Sequence, residues 1–166
     1  MMMTERECHI LALEHKETPW VANKRFQDIC MPSCILEGAV NKGHSVDWFG
    51  VHYITRPDQP GPFPVEKQEL YVIQDMEDWE DQLKFPDLDK VDWAAAAEKD
   101  TATWDREGRL SSCTLINGML ESLECFAGFE NALCYLITNE EEVKAFNQAV
   151  INYKIALIER LHKYYK

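Results

Sequence analysis

Apolar residues at helical spacing run through the C-terminal part of the chain. They recur at steps of three or four residues: Val143, Phe146, Val150, Tyr153, Leu157, Leu161 and Tyr164. This spacing places them on one face of an α-helix. Glu141 and Glu142 stand in the expected first turn, where negative charge interacts favourably with the helix dipole. The pattern therefore predicts one long helix from about Thr138 to the last residue, with one buried stripe.

Two shorter helical patterns precede it. Thr4 and Glu7 form a Thr-x-x-Glu capping box ahead of apolar residues, which predicts a helix from about Glu5 to His15. A second run, from about Met119 to Ile137, carries one apolar stripe: Leu120, Leu123, Phe126, Phe129, Leu133 and Leu136. We therefore expect one continuous helix over this second run.

Strand-like runs, rich in branched and aromatic residues, alternate with these helices. We expect strands at 20–26, 46–54, 70–73 and 110–118. An alternation of strands and helices is typical of an α/β fold with parallel strands. The pattern therefore predicts the α/β class.

Negative charge is concentrated in one part of the chain. Of 29 acidic and 17 basic residues, 12 acidic and 4 basic ones lie between Asp75 and Glu107. Carboxylates at helix starts are ordinary solvated structure, so we interpret residues 75–107 as an acidic helical insertion around Trp79 and Trp93. The formal charge of −12 repels phosphate backbones and anionic membranes, which argues against nucleic acid and membranes as partners.

Composition indicates the protein class and the compartment. A chain of 166 residues, 46% of them hydrophobic, suits one globular domain. No run approaches the roughly 20 apolar residues that a membrane span needs, and the polar start Met1–Glu7 is unlike a signal peptide. Six cysteines, including the close pair Cys30 and Cys34, are too few for a disulfide framework. We interpret them as reduced thiols of a cytoplasmic protein.

Candidate chemistry is limited to polar residues at predicted strand ends. Nucleotide-binding and hydrolase motifs are absent, and the histidines form no HxH or HxxxH pair, so the sequence predicts no metal site. An α/β fold places its site at strand ends, and the polar residues there are Asn23, Arg25, Asp28, Asp47, His52 and Asn117. An arginine and a carboxylate could hold an anionic substrate and a protonated intermediate. Ordinary loop polarity is the alternative for each residue.

Short segments along nearly the whole chain resemble, in the same order, the uroporphyrinogen decarboxylase-like superfamily. The similar segments are Thr4–Glu7, Leu11–Leu13, Lys16–Val21, Asp47–Val51, Asp78–Glu80, Lys84–Asp89, Asp92–Trp93, Gly128–Leu133 and Glu142–Phe146, continuing through Tyr153–Ile155 to Tyr164–Lys166. The resemblance implies a (β/α)₈ barrel. Decarboxylases of this superfamily remove acetate carboxyls from a tetrapyrrole without a cofactor, using an arginine and an aspartate near the barrel mouth. The related methyltransferases use zinc, held by His and Cys, and transfer methyl groups to a corrinoid or a thiol.

On this resemblance we assign catalytic roles to Arg25, which would bind substrate carboxylates, and to Asp47, which would stabilise a developing cation. Asn23, His52 and Asn117 are the expected substrate-binding residues. The arginine- and glycine-rich motif of true decarboxylases has no clear counterpart here. Its absence favours the methyltransferase side or a further branch.

The length of the chain changes the expected architecture. A complete barrel takes about 250 residues, so we expect residues 1–166 to be a single incomplete domain, with about three barrel strands and long C-terminal helices. We expect the chain alone to be inactive and to hold no cofactor, since zinc, a corrinoid protein or a tetrapyrrole would belong to full-length relatives. It would self-associate or pair with a chain that completes the barrel. The alternative is a non-catalytic half-barrel module.

Overall fold

The computed structural model describes residues 3–38, 46–58 and 61–166, which form a mixed helix and sheet structure. The helices described are α1 (Glu5–Leu13), α2 (Trp79–Gln82), α3 (Trp93–Asp100), α4 (Met119–Ala127), α5 (Phe129–Thr138) and α6 (Glu140–Tyr164). The strands are β1 (Asp28–Cys30), β2 (Tyr53–Thr55), β3 (Pro62–Pro64) and β4 (Ser111–Cys113). Short 3₁₀ turns lie at Lys24–Phe26, Gln68–Leu70 and Leu88–Lys90. This mixture of helices and short strands is compatible with the predicted α/β class.

The chain divides into two compact units. The first comprises Met1–Cys34, Asp92–Leu115 and Leu161–Lys166, and the second comprises Ile35–Val91 and Ile116–Arg160. The acidic stretch 75–107 is shared between both units. Its apolar residues Met76, Trp79, Leu83, Leu88, Trp93 and Ala97 are buried, while most of its carboxylates are exposed. The stretch therefore contributes to the core as well as to the acidic surface.

In the first unit, α1 begins at the predicted capping box. The Glu7 backbone N–H donates to Thr4 Oγ1 at 3.2 Å, and the Thr4 N–H donates to Glu7 Oε2 at 2.7 Å. These bonds satisfy two N–H groups at the helix start, and the helix runs to Leu13. β1 and β4 pair in parallel, with Cys30 opposite Cys113. Parallel strands need a long crossover connection, which is the arrangement typical of α/β folds.

The core of the second unit is built around aromatic rings and α6. Phe146 meets Trp79 edge to face at 5.6 Å and Phe126 at 6.1 Å. The predicted stripe on α6 is confirmed for all members but the last. Tyr164 is half-buried, Leu161 is buried in the first unit, and the buried members in this unit are Val143, Phe146, Val150, Tyr153 and Leu157. Burial of such a stripe stabilises a helix more than intrinsic propensity does, so α6 is the main scaffold of this unit.

The predicted strand at 20–26 is wrong. Asn23 Oδ1 accepts a hydrogen bond from the Arg25 N–H at 3.0 Å and caps the 3₁₀ turn at Lys24–Phe26. The strand of this region is β1, which begins beyond that turn at Asp28. A side chain that accepts a hydrogen bond from the backbone two residues later favours a turn over an extended strand.

The predicted strand at 46–54 is confirmed only near its end. Asp47 closes a turn with its own side chain, so Val46 and His52 form just an isolated antiparallel bridge. β2 then begins at Tyr53 and pairs with β3 in antiparallel orientation.

The two remaining predicted strands have different outcomes. At 70–73 no strand forms; instead the Ile73 N–H donates to the Phe126 carbonyl at 2.9 Å, and the Ile73 side chain is fully buried. Within 110–118, β4 is present but is three residues long. Among the residues of these two ranges only Ile73 is buried, and the one strand that forms is shorter than predicted.

The predicted continuous helix over 119–137 is interrupted by Gly128. This residue has a φ of +83°, a conformation that glycine adopts without steric cost and other residues rarely adopt. α4 ends before it and α5 begins after it. Leu123 and Phe126 of the predicted stripe are buried, but the other members are exposed: Leu120, Phe129, Leu133 and Leu136. Before the break, Leu120 is exposed while Leu123 and Phe126 are buried, and the members after the break are all exposed.

The described strands form two two-stranded sheets, β1 with β4 and β2 with β3. α6 is 25 residues long but carries charged residues along its exposed side. None of the helices in the described ranges is both long and apolar enough to cross a lipid bilayer.

Candidate functional site

A group of largely buried polar side chains lies in the second unit. We call it the Glu37 cluster; its members are Glu37, Asp47, Tyr53, Asn117 and Lys154. Glu37 is 3% exposed and forms an ion pair with Lys154, whose Nζ lies 2.6 Å from Glu37 Oε1. Lys154 Nζ also donates to the Ile116 carbonyl at 2.7 Å. The ammonium group is therefore held between a carboxylate and the chain segment just before α4.

Asp47 organises the backbone turn that follows it. Its Oδ1 accepts hydrogen bonds from the N–H groups of Phe49 at 2.9 Å and Val51 at 3.0 Å. Its Oδ2 accepts from the Gly38 N–H at 3.1 Å and from the Tyr53 hydroxyl at 3.3 Å. Four donors therefore hold the Asp47 carboxylate in a fixed position.

Three buried polar atoms beside the cluster make no hydrogen bond of ordinary geometry within the described ranges: Glu37 Oε2, Trp48 Nε1 and Tyr153 OH. Asn117 nevertheless interacts with the Glu37 carboxylate, and Trp48 with the Tyr153 hydroxyl. The rings of Trp48 and Tyr153 meet edge to face at 6.5 Å, and the charge of Glu37 acts on the Tyr153 hydroxyl. Glu37 Oε2 can accept a hydrogen bond, Trp48 Nε1 can donate one, and the Tyr153 hydroxyl can do either. Buried polar atoms are normally hydrogen-bonded, so these are the atoms that a polar ligand could pair.

Burial raises the pKa of the acidic groups in and around the cluster. Removal from water raises the pKa of Glu37, and the ion pair with Lys154 opposes that rise. Removal from water also raises the pKa of Asp47, against the effect of its backbone hydrogen bonds. Burial raises the pKa of the Cys125 thiol, which lies 3.9 Å from the Tyr53 hydroxyl, to about 11. A carboxyl with a raised pKa can hold or give up a proton nearer to neutral pH.

Two of the five predicted site residues belong to this cluster. Asp47 is one, and Asn117 is the other, because its side chain lies beside Glu37 and favours the ionised carboxylate. Asn117 has a φ of +56°, a left-handed conformation for which asparagine is enriched. The third predicted residue of this unit, His52, is half-buried in the bridge to Val46.

The other two predicted residues, Asn23 and Arg25, belong to the first unit. Both are exposed, at the 3₁₀ turn Lys24–Phe26. The Asn23 side-chain oxygen is engaged by the Arg25 backbone, so its role in the structure is to cap the turn. The predicted catalytic pair therefore consists of an exposed arginine in the first unit and a partly buried aspartate in the second.

Sequence reasoning missed Glu37, Lys154 and Tyr53. Glu37 and Lys154 are 117 residues apart in the chain, so no local pattern connects them. One signal was present, because Lys154 stands four residues after Val150 and three before Leu157, on the buried side of α6. A lysine at such a position needs a partner, since charged side chains are rarely buried unpaired.

The described residues do not fit a metal centre. Within the described ranges, no group of three or more His, Cys, Asp and Glu side chains is arranged to hold a metal ion; His44 lies outside these ranges. A surface pocket beside Trp79 is lined by carboxylates that belong to α2, α6 and the approach to α2: Glu77, Asp78, Glu80, Asp81, Glu141 and Glu142.

Comparisons with known proteins identified no relative of this chain. A scan against protein-family models found no match, and neither did searches of curated proteins and of solved structures. The resemblance to the uroporphyrinogen decarboxylase-like superfamily therefore rests on the order of similar segments in the sequence.

Proposed function

We propose that this chain is a uroporphyrinogen decarboxylase-like protein and that its Glu37 cluster forms part of a site for a tetrapyrrole-derived macrocycle, either uroporphyrinogen or a corrinoid. The observation that supports this is the fold of Asp47–Val51, one of the segments that resemble the superfamily. This segment forms the turn that carries Asp47 into a buried polar cluster. The cluster also holds an ion pair and lies beside polar atoms that make no hydrogen bond of ordinary geometry among the described residues.

The proposed roles follow from charge and burial. Asp47 is held in place by four donors, so its negative charge can stabilise a cation that develops on the macrocycle without reorganising. Within the second unit, His52 and Asn117 would supply further hydrogen bonds to the macrocycle. In the first unit, Arg25 is exposed beside Asn23 and can by itself pair with a carboxylate in bidentate geometry.

We also propose that β1 and β4 form part of the wall of a (β/α)₈ barrel. The parallel pairing of these strands and the helices that follow β4 support this. Decarboxylation or methyl transfer then needs further barrel strands beside them, so we expect the chain alone to bind a macrocycle without converting it. The six free thiols support a cytoplasmic location.

Titration calorimetry with two ligands tests the proposal. The 166-residue chain is titrated with uroporphyrin, a stable analogue of uroporphyrinogen, and separately with hydroxocobalamin. Binding of uroporphyrin alone indicates the decarboxylase branch, and binding of the corrinoid alone indicates the methyltransferase branch. If neither ligand binds, the proposed function is wrong.

The neighbouring lysine provides a matched control for Arg25. Loss of a charge-assisted hydrogen bond costs about 1.5–3 kcal/mol, so Arg25→Ala should weaken uroporphyrin binding by roughly 10- to 100-fold. Lys24→Ala removes the same charge from the same turn and should change affinity by less than about threefold. Equal effects of the two substitutions would contradict the role of Arg25 and leave only general charge attraction.

A second candidate function is that of a non-catalytic association module. α6 carries a second apolar row on the side away from its buried stripe: Ile151, Ile155 and Ile158, which are 37%, 50% and 54% exposed. On α5, Ile137 is 84% exposed. Contiguous apolar residues on a surface favour association with another chain, so a second copy or a complementary barrel chain could cover this row.

Light scattering coupled to size-exclusion chromatography separates the two candidates. The association module predicts a mass that increases with protein concentration and returns to the monomer mass in Ile155→Glu. The exposed polar substitution Asn152→Glu on the same helix serves as the control. A monomer at every concentration would exclude self-association, and an unchanged oligomer in Ile155→Glu would exclude this row as its interface.

A further inference from the structure

Two thiols in the first unit lie directly opposite each other on paired strands. Cys30 ends β1 and Cys113 ends β4, and they are register partners in the parallel pair. Their Sγ atoms are 3.6 Å apart. Both residues are half-buried, so neither is sealed inside the core.

The geometry suits a disulfide between these residues. Neighbouring strands lie about 4.7–4.9 Å apart, which falls in the Cα–Cα range of 4.4–6.8 Å that disulfides span. An S–S bond is about 2.05 Å long, so the two sulfur atoms need to approach by only about 1.6 Å. Rotation about the side-chain torsions can provide this without moving the paired backbones.

A third thiol and an acidic group surround the pair. Cys34 interacts electrostatically with both Cys30 and Cys113, and its Sγ lies 3.8 Å from the Tyr165 hydroxyl. That hydroxyl donates to Asp100 Oδ2 at 2.8 Å. The charge of Asp100 raises the pKa of all three thiols, Cys30, Cys34 and Cys113.

These surroundings determine how fast the pair can react. Burial, followed by the hydrogen bond with Cys113, raises the pKa of Cys30 to about 12. Only a small fraction is therefore thiolate at neutral pH, and the thiolate is the reactive form. The pair is protected from rapid oxidation, but its sulfur atoms remain close together.

We propose that Cys30 and Cys113 are a reversible thiol modification site, which forms a disulfide by exchange with a small disulfide such as oxidised glutathione. One protein thiol loses its proton to solvent and attacks a glutathione sulfur, which breaks that S–S bond and releases one reduced glutathione. The second protein thiol then loses its proton and attacks the protein sulfur of the mixed disulfide, which releases the second glutathione. Two protein thiols are oxidised while one glutathione disulfide is reduced, and β1 becomes covalently joined to β4.

Peptide mapping after oxidation tests the proposal. The folded chain is incubated with oxidised glutathione at pH 7, 8 and 9, quenched with acid, alkylated and digested with trypsin and Glu-C. We expect a cross-link between the peptides that carry Cys30 and Cys113, reversed by reduced glutathione. Its initial rate should rise about tenfold per pH unit, because the thiolate fraction rises by that factor well below the pKa.

Single serine substitutions identify the partners. Cys30→Ser and Cys113→Ser should each abolish the cross-link, while Cys34→Ser should retain it. Cys134→Ser is the matched control, because Cys134 is exposed on α5 and should not affect the link. Circular dichroism confirms that each variant is folded. If a variant does not fold, fragmentation of the linked wild-type peptides locates the bonded sulfur, because Cys30 and Cys34 lie in one proteolytic peptide. Absence of the link in the oxidised wild type, or a link between Cys30 and Cys34 in its place, would overturn the proposal.

Discussion

Replacing Lys154 with methionine tests whether the Glu37 cluster depends on its ion pair. Methionine is similar in length to lysine but carries no charge, so the Glu37 carboxylate would lose a partner 2.6 Å away. Removing one member of a buried ion pair costs about 3–5 kcal/mol. Because 17% of the Lys154 side chain is exposed, we expect a loss near the lower end, roughly 3 kcal/mol.

The same substitution should make stability depend on pH in a defined direction. Burial already raises the pKa of Glu37, and without Lys154 the folded-state pKa rises further above the unfolded value of about 4.3. A carboxyl with a raised folded-state pKa binds more protons in the folded chain. Its contribution to stability is therefore present at low pH and lost as pH rises through the folded-state pKa. The deficit of the variant against the wild type should shrink when the pH is lowered from 7 to 5.

Urea unfolding, followed by tryptophan fluorescence and circular dichroism at both pH values, measures these effects. With a slope of about 2 kcal/mol/M, a loss of roughly 3 kcal/mol shifts the midpoint by about 1.5 M. Lys144→Met is the control, because Lys144 lies on the same helix and pairs in solvent with Glu140 and Glu141. Exposed pairs contribute little, so this control should leave the midpoint almost unchanged. Equal midpoints for the two variants, or a deficit that is the same at pH 5 and pH 7, would refute the reasoning.

Three further substitutions probe the local structure. Gly128→Ala adds a Cβ against the Tyr71 ring at a φ of +83°, so we expect a loss of about 3 kcal/mol in urea unfolding; wild-type stability would mean that α4 and α5 are not separated as described. Asp47→Ala leaves three backbone N–H groups and a hydroxyl without their acceptor. It should lower the free energy of unfolding, measured by thermal unfolding, by about 2–4 kcal/mol. A loss below about 1 kcal/mol would contradict the role of this turn. Thr4→Ala removes the α1 cap and should lower the free energy of unfolding by about 1 kcal/mol. We expect faster amide hydrogen exchange at the start of α1. Unchanged exchange there would disprove the cap.

The helices with local signals were predictable from the sequence. α1 starts at Thr4 and Glu7 because the two residues that form the capping box are only three apart. α6 follows from the spacing of its apolar residues, which are buried as expected. In both cases the information lies within one or two helical turns, so no distant contact is needed to interpret it.

The strands were less predictable because side-chain hydrogen bonds compete with extension. Asn23 and Asp47 both accept hydrogen bonds from backbone N–H groups two residues later, which converts expected strands into turns. Gly128 interrupts a run that is apolar enough for one helix. Its positive φ ends α4, because glycine adopts this conformation without steric cost.

The candidate site was predictable only in part. Asp47 and Asn117 were expected from their places at the ends of predicted strands, and both belong to the Glu37 cluster. Glu37 and Lys154 were not expected, because either residue alone is an ordinary charged side chain of an exposed type. Only their mutual contact turns them into a buried ion pair.

By itself, the sequence determined the features that depend only on residues near one another in the chain. These are the cap of α1, the buried face of α6 and the concentration of acidic residues in 75–107. Only the tertiary structure decided which distant residues meet. Glu37 and Lys154 are 117 positions apart, and Cys30 and Cys113 are 83 apart. Local periodicity carries no information on such pairs, because their contact depends on how whole elements pack and on which polar groups that packing removes from water.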